Sequence, residues 1–351
     1  MTGSVYIRIV DENLDRLAEG LRFLEDIARM VLDDPALTAE IKTLRHNLIR
    51  SDLAFNLQLL DSRNSQSDVG ETLSVKGELP GQDLNLMVIA NARRAQEALR
   101  VLEDMAKLPE MAEKLDSDRF KAARFKLYGL EKDLVSRLLR KEKADRLKGL
   151  YVIVDTHFLG SREPLEVTRQ IIQAGVKVIQ LRDKNPDKKA LLKLAGEMQR
   201  LCTQNKVLFI VNDYLDIALA IEADGLHIGQ EDIPVTVARR LMSIGMLLGV
   251  SAATLEEAQE AEKQGADYLG VGAIFPTKSK DEIRVVGLDR LTQIRSAISL
   301  PIAAIGGINA ANIASIMTTG SDCACVISAV LGASDVAQAA RQLIEIIEAK
   351  K

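Results

Sequence analysis

Apolar runs of four to eight residues recur through the second half of the chain, each followed by a segment with helical spacing. The runs are Gly149–Asp155, Val176–Asp183, Val207–Asp213, Gly225–Gly229, Leu247–Ala252, Tyr268–Phe275, Pro301–Gly306 and Cys323–Ser328. The helices between them are expected to begin near Pro164, Asp187, Tyr214, Pro234, Thr254, Leu288, Asn309 and Ser334. Strands that are apolar throughout are buried on both faces, as in a parallel sheet covered by helices. Eight such units in about 200 residues predict an α/β fold, a compact (β/α)₈ TIM barrel. A doubly wound open sheet competes, but no G-x-G-x-x-G follows the first strand.

The first half has a different period. Leu14, Leu17, Leu21, Leu24, Ala28 and Val31 alternate spacings of three and four, which makes one buried helical stripe. Ala92, Ala95, Leu99, Leu102 and Ala106 repeat it. The two stretches align at an offset of 78, with identities at Asn13/Asn91, Arg16/Arg94, Glu19/Glu97, Leu21/Leu99, Arg22/Arg100, Leu24/Leu102, Glu25/Glu103, Asp26/Asp104 and Ala28/Ala106. A weaker match joins Lys42, Arg45 and Leu48 to Lys121, Arg124 and Leu127. A helix pair used twice predicts an all-α domain, a four-helix bundle with a pseudo-twofold axis. Packing alone requires only the apolar positions to recur. Because polar ones recur too, Asn13, Arg16, Asn91 and Arg94 are candidates for a shared site between the repeats. Solvated faces with pairs such as Glu12–Arg16 and Arg22–Asp26 are the plainer reading. The Ser-, Asp- and Gly-rich stretch from Asp61 to Gln82 is expected to be a long loop.

Composition sharpens the division. Residues 1–148 carry 25 Lys+Arg, 26 Asp+Glu and six Gly, whereas 149–351 carry 21, 24 and sixteen. The domains are expected at 1–144 and 149–351, joined by a charged helical run from Glu131 to Lys148. Over all 351 residues the net charge is −4, with 3% aromatics and no Trp, against a nucleic-acid partner. No stretch has the roughly 18 uncharged apolar residues that a membrane helix needs. Met1–Val10 lacks a secretory pattern. Three cysteines, Cys202, Cys323 and Cys325, make neither a disulfide framework nor a four-ligand zinc site, and a reducing, cytoplasmic setting is expected.

Polar residues gather where the strands end, the face on which barrel enzymes work. They are Gln180, Arg182, Asp183 and Lys184 after the second strand, Asn212 and Asp213 after the third, and His227 and Asp232 at the fourth. Ser251 follows the fifth, Thr277, Ser279 and Lys280 the sixth, Gly307 the seventh, and Ile327 and Ser328 the eighth. Arg182, Lys184 and Lys280 bring positive charge, while Asp213 and Asp232 could hold a hard cation through oxygen. Cations beside a carboxylate-held Mg²⁺ suit a polyphosphate. Glycine turns after strands seven and eight suit a second phosphate. The residues therefore describe a two-substrate enzyme from which a diphosphate departs. No histidine–serine pair with an evident orienting acid points to triad hydrolysis.

Six motifs in order make this half resemble thiamine-phosphate synthases. They are Gln-Leu-Arg-Asp-Lys (180–184), Val-Asn-Asp (211–213), Asp-Gly-Leu-His-Ile-Gly-Gln-Glu-Asp (224–232), Gly-Val-Ser-Ala (249–252), Phe-Pro-Thr-Lys-Ser-Lys (275–280) and Ile-Gly-Gly-Ile (305–308). The resemblance implies condensation of 4-amino-2-methyl-5-hydroxymethylpyrimidine diphosphate with 4-methyl-5-(2-phosphoethyl)thiazole, giving thiamine phosphate and pyrophosphate. It implies Gln180, Arg182, Lys184, Asn212, Ser251 and Lys280 around the pyrimidine diphosphate, with His227 near the pyrimidine. It implies Asp213 and Asp232 on Mg²⁺, and Thr277, Ser279, Gly307, Ile327 and Ser328 at the thiazole phosphate. Arg182, Lys184, Ser251 and Lys280 are the implied catalytic set. The family often has Glu at the position of Asp183, Thr at that of Ser279, and His at that of Ala253.

The helical half resembles an extension found on some bacterial and cyanobacterial members, for which a pyrimidine-phosphate kinase role is one implication. Its sequence holds no phosphate-binding glycine loop, and an interaction or homo-oligomerisation role is the alternative. For the barrel, a thiazole tautomerase is the rival within the fold, and a thiamine-phosphate sensor the rival outside enzymes. Retention of Arg182, Lys184, Asp213, Asp232 and Lys280 argues against both. The expected partners are small-molecule substrates, with neither nucleic acid nor membrane.

Overall fold

The computed structural model describes residues 2–49, 52–63, 83–184, 187–277 and 285–349. Its packing separates two units, Met1–Leu138 and Leu139–Lys351.

The first unit is helical. It contains α1 (Thr2–Asp26), a π-helical turn (Ile27–Val31), α2 (Pro35–Leu48), α3 (Leu53–Ser62), α4 (Leu84–Met105) and α5 (Ser117–Ala144) as far as Leu138. The expected stripe is buried at Leu17, Leu21, Leu24 and Ala28, and its copy at Ala92, Ala95, Leu99, Leu102 and Ala106. Helices α1 and α4 meet so closely that a Cβ on Gly20 would lie 2.9 Å from the Asn91 carbonyl oxygen. Two corrections arise here. Helix α3 stands outside the two repeated pairs, and it takes in Asp61 and Ser62 from the expected loop. The rest of that stretch, 64–82, lies outside the described residues.

The polar half of the repeat has a structural counterpart. Arg45 Nε donates to Glu25 Oε2 at 2.9 Å, and Arg124 Nη2 donates to Glu103 Oε2 at 2.8 Å. These carboxylates are only 3% and 4% exposed. Each repeat thus buries one glutamate of its first helix against one arginine of its second. The Arg124 guanidinium beside Glu103 holds that carboxyl below its ordinary value. Asn13 and Asn91 turn their amides back onto their own helices, at Ile9 and Met87, while Arg16 and Arg94 are exposed. Arg16 pairs with Glu12 at 2.8 Å and Arg22 with Asp26 at 3.5 Å, as the plainer reading expects.

The second unit is a closed barrel of eight parallel strands paired in chain order. They are β1 (Gly149–Asp155), β2 (Val178–Arg182), β3 (Leu208–Asn212), β4 (Gly225–Ile228), β5 (Leu247–Ala252), β6 (Tyr268–Gly272), β7 (Ile302–Ile305) and β8 (Cys323–Val326). Each falls inside its expected run. The helices are α6 (Thr156–Leu159), α7 (Pro164–Gln173), α8 (Lys188–Gln204), α9 (Leu215–Ala220) and α10 (Val235–Leu241). They continue with α11 (Leu255–Gln264), α12 (Gly287–Ala297), α13 (Ile313–Met317), α14 (Ser328–Leu331) and α15 (Val336–Glu348). The short α6 and α14 follow β1 and β8 directly and were not expected.

Strand alternation sorts the residues. Val152, Val154, Ile179, Leu181, Phe209, Val211, Leu248 and Val250 face the helices. Tyr151, Ile153, Val178, Leu208, Ile210, Leu247, Tyr268, Ala303, Cys323 and Cys325 fill the interior. Cys323 and Cys325 are two apart, so both point inward, and burial raises both thiols above their ordinary range. Large interior side chains need glycine opposite them. A Cβ on Gly249 would fall 2.1 Å from the Tyr268 ring.

Residues just before the first strand belong with the barrel. Leu147 joins the interior cluster. Arg140 Nε donates to Asp267 at 2.9 Å, and Lys143 pairs with Asp224 at 3.1 Å. Those aspartates also hold strand ends, accepting from the backbone N–H of Leu248 and Phe209. The packing boundary at Leu138 therefore falls before the sequence-based one at residue 144. No helix among the described residues is long and apolar enough to cross a membrane.

Candidate active site

Period two along each strand aims every second residue inward, and the last inward residues of several strands are polar. Gln180 and Asn212 are buried, while Arg182, His227 and Ser251 are half-buried at their strand ends. Lys184, Asp213 and Asp232 are exposed on the loops just beyond. Strand pairing makes their order explicit: Gln180 lies opposite Ile210, Asn212 opposite His227, and Ser251 opposite Gly270. The C-terminal ends of β2 to β5 thus present neighbouring polar groups.

Arg182 is not loose on this rim. It forms an ion pair with Asp155, the last residue of β1 and only 1% exposed. The other Asp155 oxygen accepts from the His157 N–H at 3.0 Å, capping α6. A buried carboxylate thus fixes the guanidinium at the barrel mouth, and strand register sets Asp155 directly beside Arg182. Sequence reasoning missed Asp155, although a lone acid closing an apolar strand was the available signal.

Asp213 has φ of +62°, a left-handed backbone conformation that costs most residues about 1 kcal/mol and that Asp tolerates better than most. Its N–H donates to the His227 carbonyl at 2.9 Å, which ties it to the end of β4. Asp232 Oδ2 accepts from the Gly229 N–H at 2.7 Å and closes the short loop after β4. Neither aspartate is a helix N-cap: Tyr214 precedes α9 and Pro234 precedes α10.

These two carboxylates sit on loops of adjacent strands. Among the described residues no group of three or more His, Cys, Asp or Glu could hold a metal. Magnesium is commonly bound by one or two carboxylates, the remaining places going to water and substrate phosphate. An all-oxygen pair at a polar, exposed rim therefore fits that ion, and does not fit a metal that needs nitrogen or sulfur.

His227 uses both ring nitrogens, Nδ1 at 3.1 Å from Tyr268 Oη and Nε2 at 3.0 Å from Ser251 Oγ. Gln230 Nε2 donates to the Ser251 carbonyl, so the next loop also holds β5. Ala253 gives its N–H to Glu257, part of the capping box of α11.

On the opposite side, Gly306 and Gly307 have φ of +104° and +65°. A Cβ on Gly307 would lie 2.6 Å from the Pro276 carbonyl oxygen, so glycine is required for close approach to the loop after β6. Thr277 is on that loop and half-buried. Ile327 precedes α14, and Ser328 is its first residue. Ser279 and Lys280 lie outside the described residues.

The fold is thus a closed (β/α)₈ barrel whose strand ends present Arg182 and Lys184 beside Asp213 and Asp232, on the face where barrel enzymes carry their sites. The family model described as thiamine monophosphate synthase matches residues 150–330, and the ThiD2 family model matches 8–133. A thiamine-phosphate synthase of Thermosynechococcus vestitus is 38% identical over 96% of this chain and 93% of its own length. One from Moorella thermoacetica is 51% identical over 56% of this chain, which is 95% of that protein. The solved thiamine phosphate pyrophosphorylase of Pyrococcus furiosus superposes with a TM-score of 0.55 at 40% identity, covering 58% of this chain and 98% of that one. The chain belongs to the thiamine-phosphate synthase family, a family of transferases in thiamine biosynthesis.

Proposed function

We propose that the barrel joins 4-amino-2-methyl-5-hydroxymethylpyrimidine diphosphate to 4-methyl-5-(2-phosphoethyl)thiazole, giving thiamine phosphate and pyrophosphate. The observation that carries this reading is Arg182, held by buried Asp155 on the same rim as Lys184, Asp213 and Asp232. That arrangement suits a leaving group with several negative charges.

In the reaction, the C–O bond to diphosphate breaks and its electron pair leaves on pyrophosphate. The lone pair of the thiazole nitrogen forms the new C–N bond. No proton need be removed, so the step calls for no strong base. Magnesium, when held by Asp213 and Asp232, supplies charge neutralisation for the diphosphate. Arg182, Lys184 and Lys280 share the remaining negative charge, and Arg182 acts without reorientation because Asp155 already holds it. Gln180, Asn212, His227 and Ser251 orient the pyrimidine. Thr277, Ser279, Gly307, Ile327 and Ser328 anchor the thiazole phosphate, which keeps the nucleophile in line. The reaction is that of small molecules in a reducing cytoplasm, with no nucleic acid or membrane involved.

The test is a condensation assay on the purified full chain. With both phosphorylated substrates and Mg²⁺, thiamine phosphate and pyrophosphate are expected in equal amounts, and a chelator should stop their formation. Turnover undiminished in chelator would reject the metal assignment; no product under any condition would reject the reading. Replacing the diphosphate by the pyrimidine monophosphate plus ATP extends the assay to the helical unit. Product without added kinase assigns it that activity.

A further inference from the structure

Five polar side chains form an unbroken line across the barrel interior beneath the rim. Gln180 Nε2 donates to Tyr151 Oη at 2.7 Å, and the Tyr151 and Tyr268 hydroxyls are 3.2 Å apart. Tyr268 Oη is 3.1 Å from His227 Nδ1, and His227 Nε2 is 3.0 Å from Ser251 Oγ. Both tyrosines are 1% exposed. Burial raises both phenols above their ordinary range, so they remain protonated donors.

The protons in this line have few places to go. A tyrosine hydroxyl donates once, and a neutral imidazole donates from one nitrogen and accepts at the other. Tyr151 accepts from Gln180, and among the described residues its hydroxyl has one further partner, Tyr268. Its proton therefore belongs in the bond to Tyr268, since leaving a buried hydroxyl without an acceptor is unfavourable. Tyr268 then gives its own proton to His227 Nδ1. The imidazole proton remains on Nε2 and is donated to Ser251 Oγ. The serine proton, with its oxygen already accepting from His227, is free to point elsewhere.

We propose that Tyr151 and Tyr268 are a positioning relay that fixes His227 as the Nε2–H tautomer and so makes the Ser251 hydroxyl a hydrogen-bond donor to the substrate. This rests on the reading of the rim as the pyrimidine diphosphate site, where the acceptor is an oxygen or ring nitrogen of that substrate. Tyr268 does not touch substrate; it acts through His227. Two glycines leave room for the relay. A Cβ on Gly249 would overlap the Tyr268 ring, and one on Gly270 would lie 2.7 Å from His227 Cε1. Gly249 of β5 and Gly270 of β6 thus leave the space that these two rings occupy.

The tautomer can be read directly from long-range ¹H–¹⁵N correlations on histidine-labelled full-length protein, at alkaline pH where a histidine ring is neutral. The chain has three histidines, and a His227→Gln variant identifies the signal. Wild type is expected to show a protonated Nε2 and a bare Nδ1. Tyr268→Phe should shift His227 towards the Nδ1–H form and lower kcat about tenfold, with the KM of the thiazole phosphate unchanged. Tyr151→Phe leaves the Tyr268 proton available to Nδ1, so the tautomer should persist while the KM of the pyrimidine diphosphate rises through Gln180. A protonated Nδ1 in wild type would overturn the proposal, because it requires Gln180 to turn its carbonyl to Tyr151 and reverses the whole line. Wild-type tautomer and kcat in a folded Tyr268→Phe would overturn it too. The tautomer is measured without substrate. An inactive wild type with the Nε2–H form would fault the proposed reaction and leave the relay standing.

Discussion

Asp213→Asn is expected to lower kcat/KM for condensation by about a thousandfold, the scale of losing a preorganised charge at a departing anion. Asparagine is the informative replacement because it tolerates the left-handed backbone of Asp213 and keeps the side-chain shape. Only the charge changes, so the thermal midpoint should stay within a few degrees of wild type. Asp213→Gly relaxes the backbone further and removes the carboxylate, and it should be as inactive. Steady-state rates over a magnesium series check this. A wild-type rate for either variant would show that Asp213 keeps its strained conformation for some purpose other than catalysis.

Asp155→Asn is expected to damage both stability and turnover. Breaking a buried ion pair by removing one partner costs about 3–5 kcal/mol, because the other charge is left uncompensated. Arg182 retains some exposure, which places the loss near the lower end, about 3 kcal/mol. With its guanidinium no longer held, kcat/KM should also fall about a hundredfold. Urea unfolding and steady-state kinetics separate the two effects. Adding Arg182→Gln to Asp155→Asn removes the orphaned charge, so stability should partly return while activity does not. If the double variant regained activity with stability, Arg182 would be a structural residue only.

The contrast between these aspartates shows how far the sequence could be read. Asp213 lies in a polar stretch after a strand, where its chemistry is visible locally. Asp155 also ends a strand, but its partner is the end of the next strand, and only parallel register brings the two together. Strand limits were legible because apolar runs bounded by polar residues survive into the fold almost unchanged, as β1 and β5 do residue for residue. Helix α3 was not legible, since Leu53, Leu57 and Leu60 are exposed and break the apolar stripe on which the prediction relied. The tyrosine relay was the least legible element. Tyr151 and Tyr268 are 117 residues apart and read as ordinary apolar strand positions. Their hydroxyls meet only once the barrel closes. In the helical half the recurrence pointed to Asn13, Arg16, Asn91 and Arg94, whereas the repeated polar side chains that the structure pairs between helices are Glu25 with Arg45 and Glu103 with Arg124.

In the proposed reaction one rim binds a metal-held diphosphate through Asp213, Asp232 and Arg182. Anomalous diffraction from crystals of the full chain with Mn²⁺ and pyrophosphate tests it most directly, manganese taking the place of magnesium at oxygen ligands. A manganese peak is expected at the Asp213 and Asp232 carboxylates, with pyrophosphate oxygens reaching both the metal and the Arg182 guanidinium. Manganese bound away from both aspartates, or pyrophosphate bound with Arg182 unengaged, would contradict it.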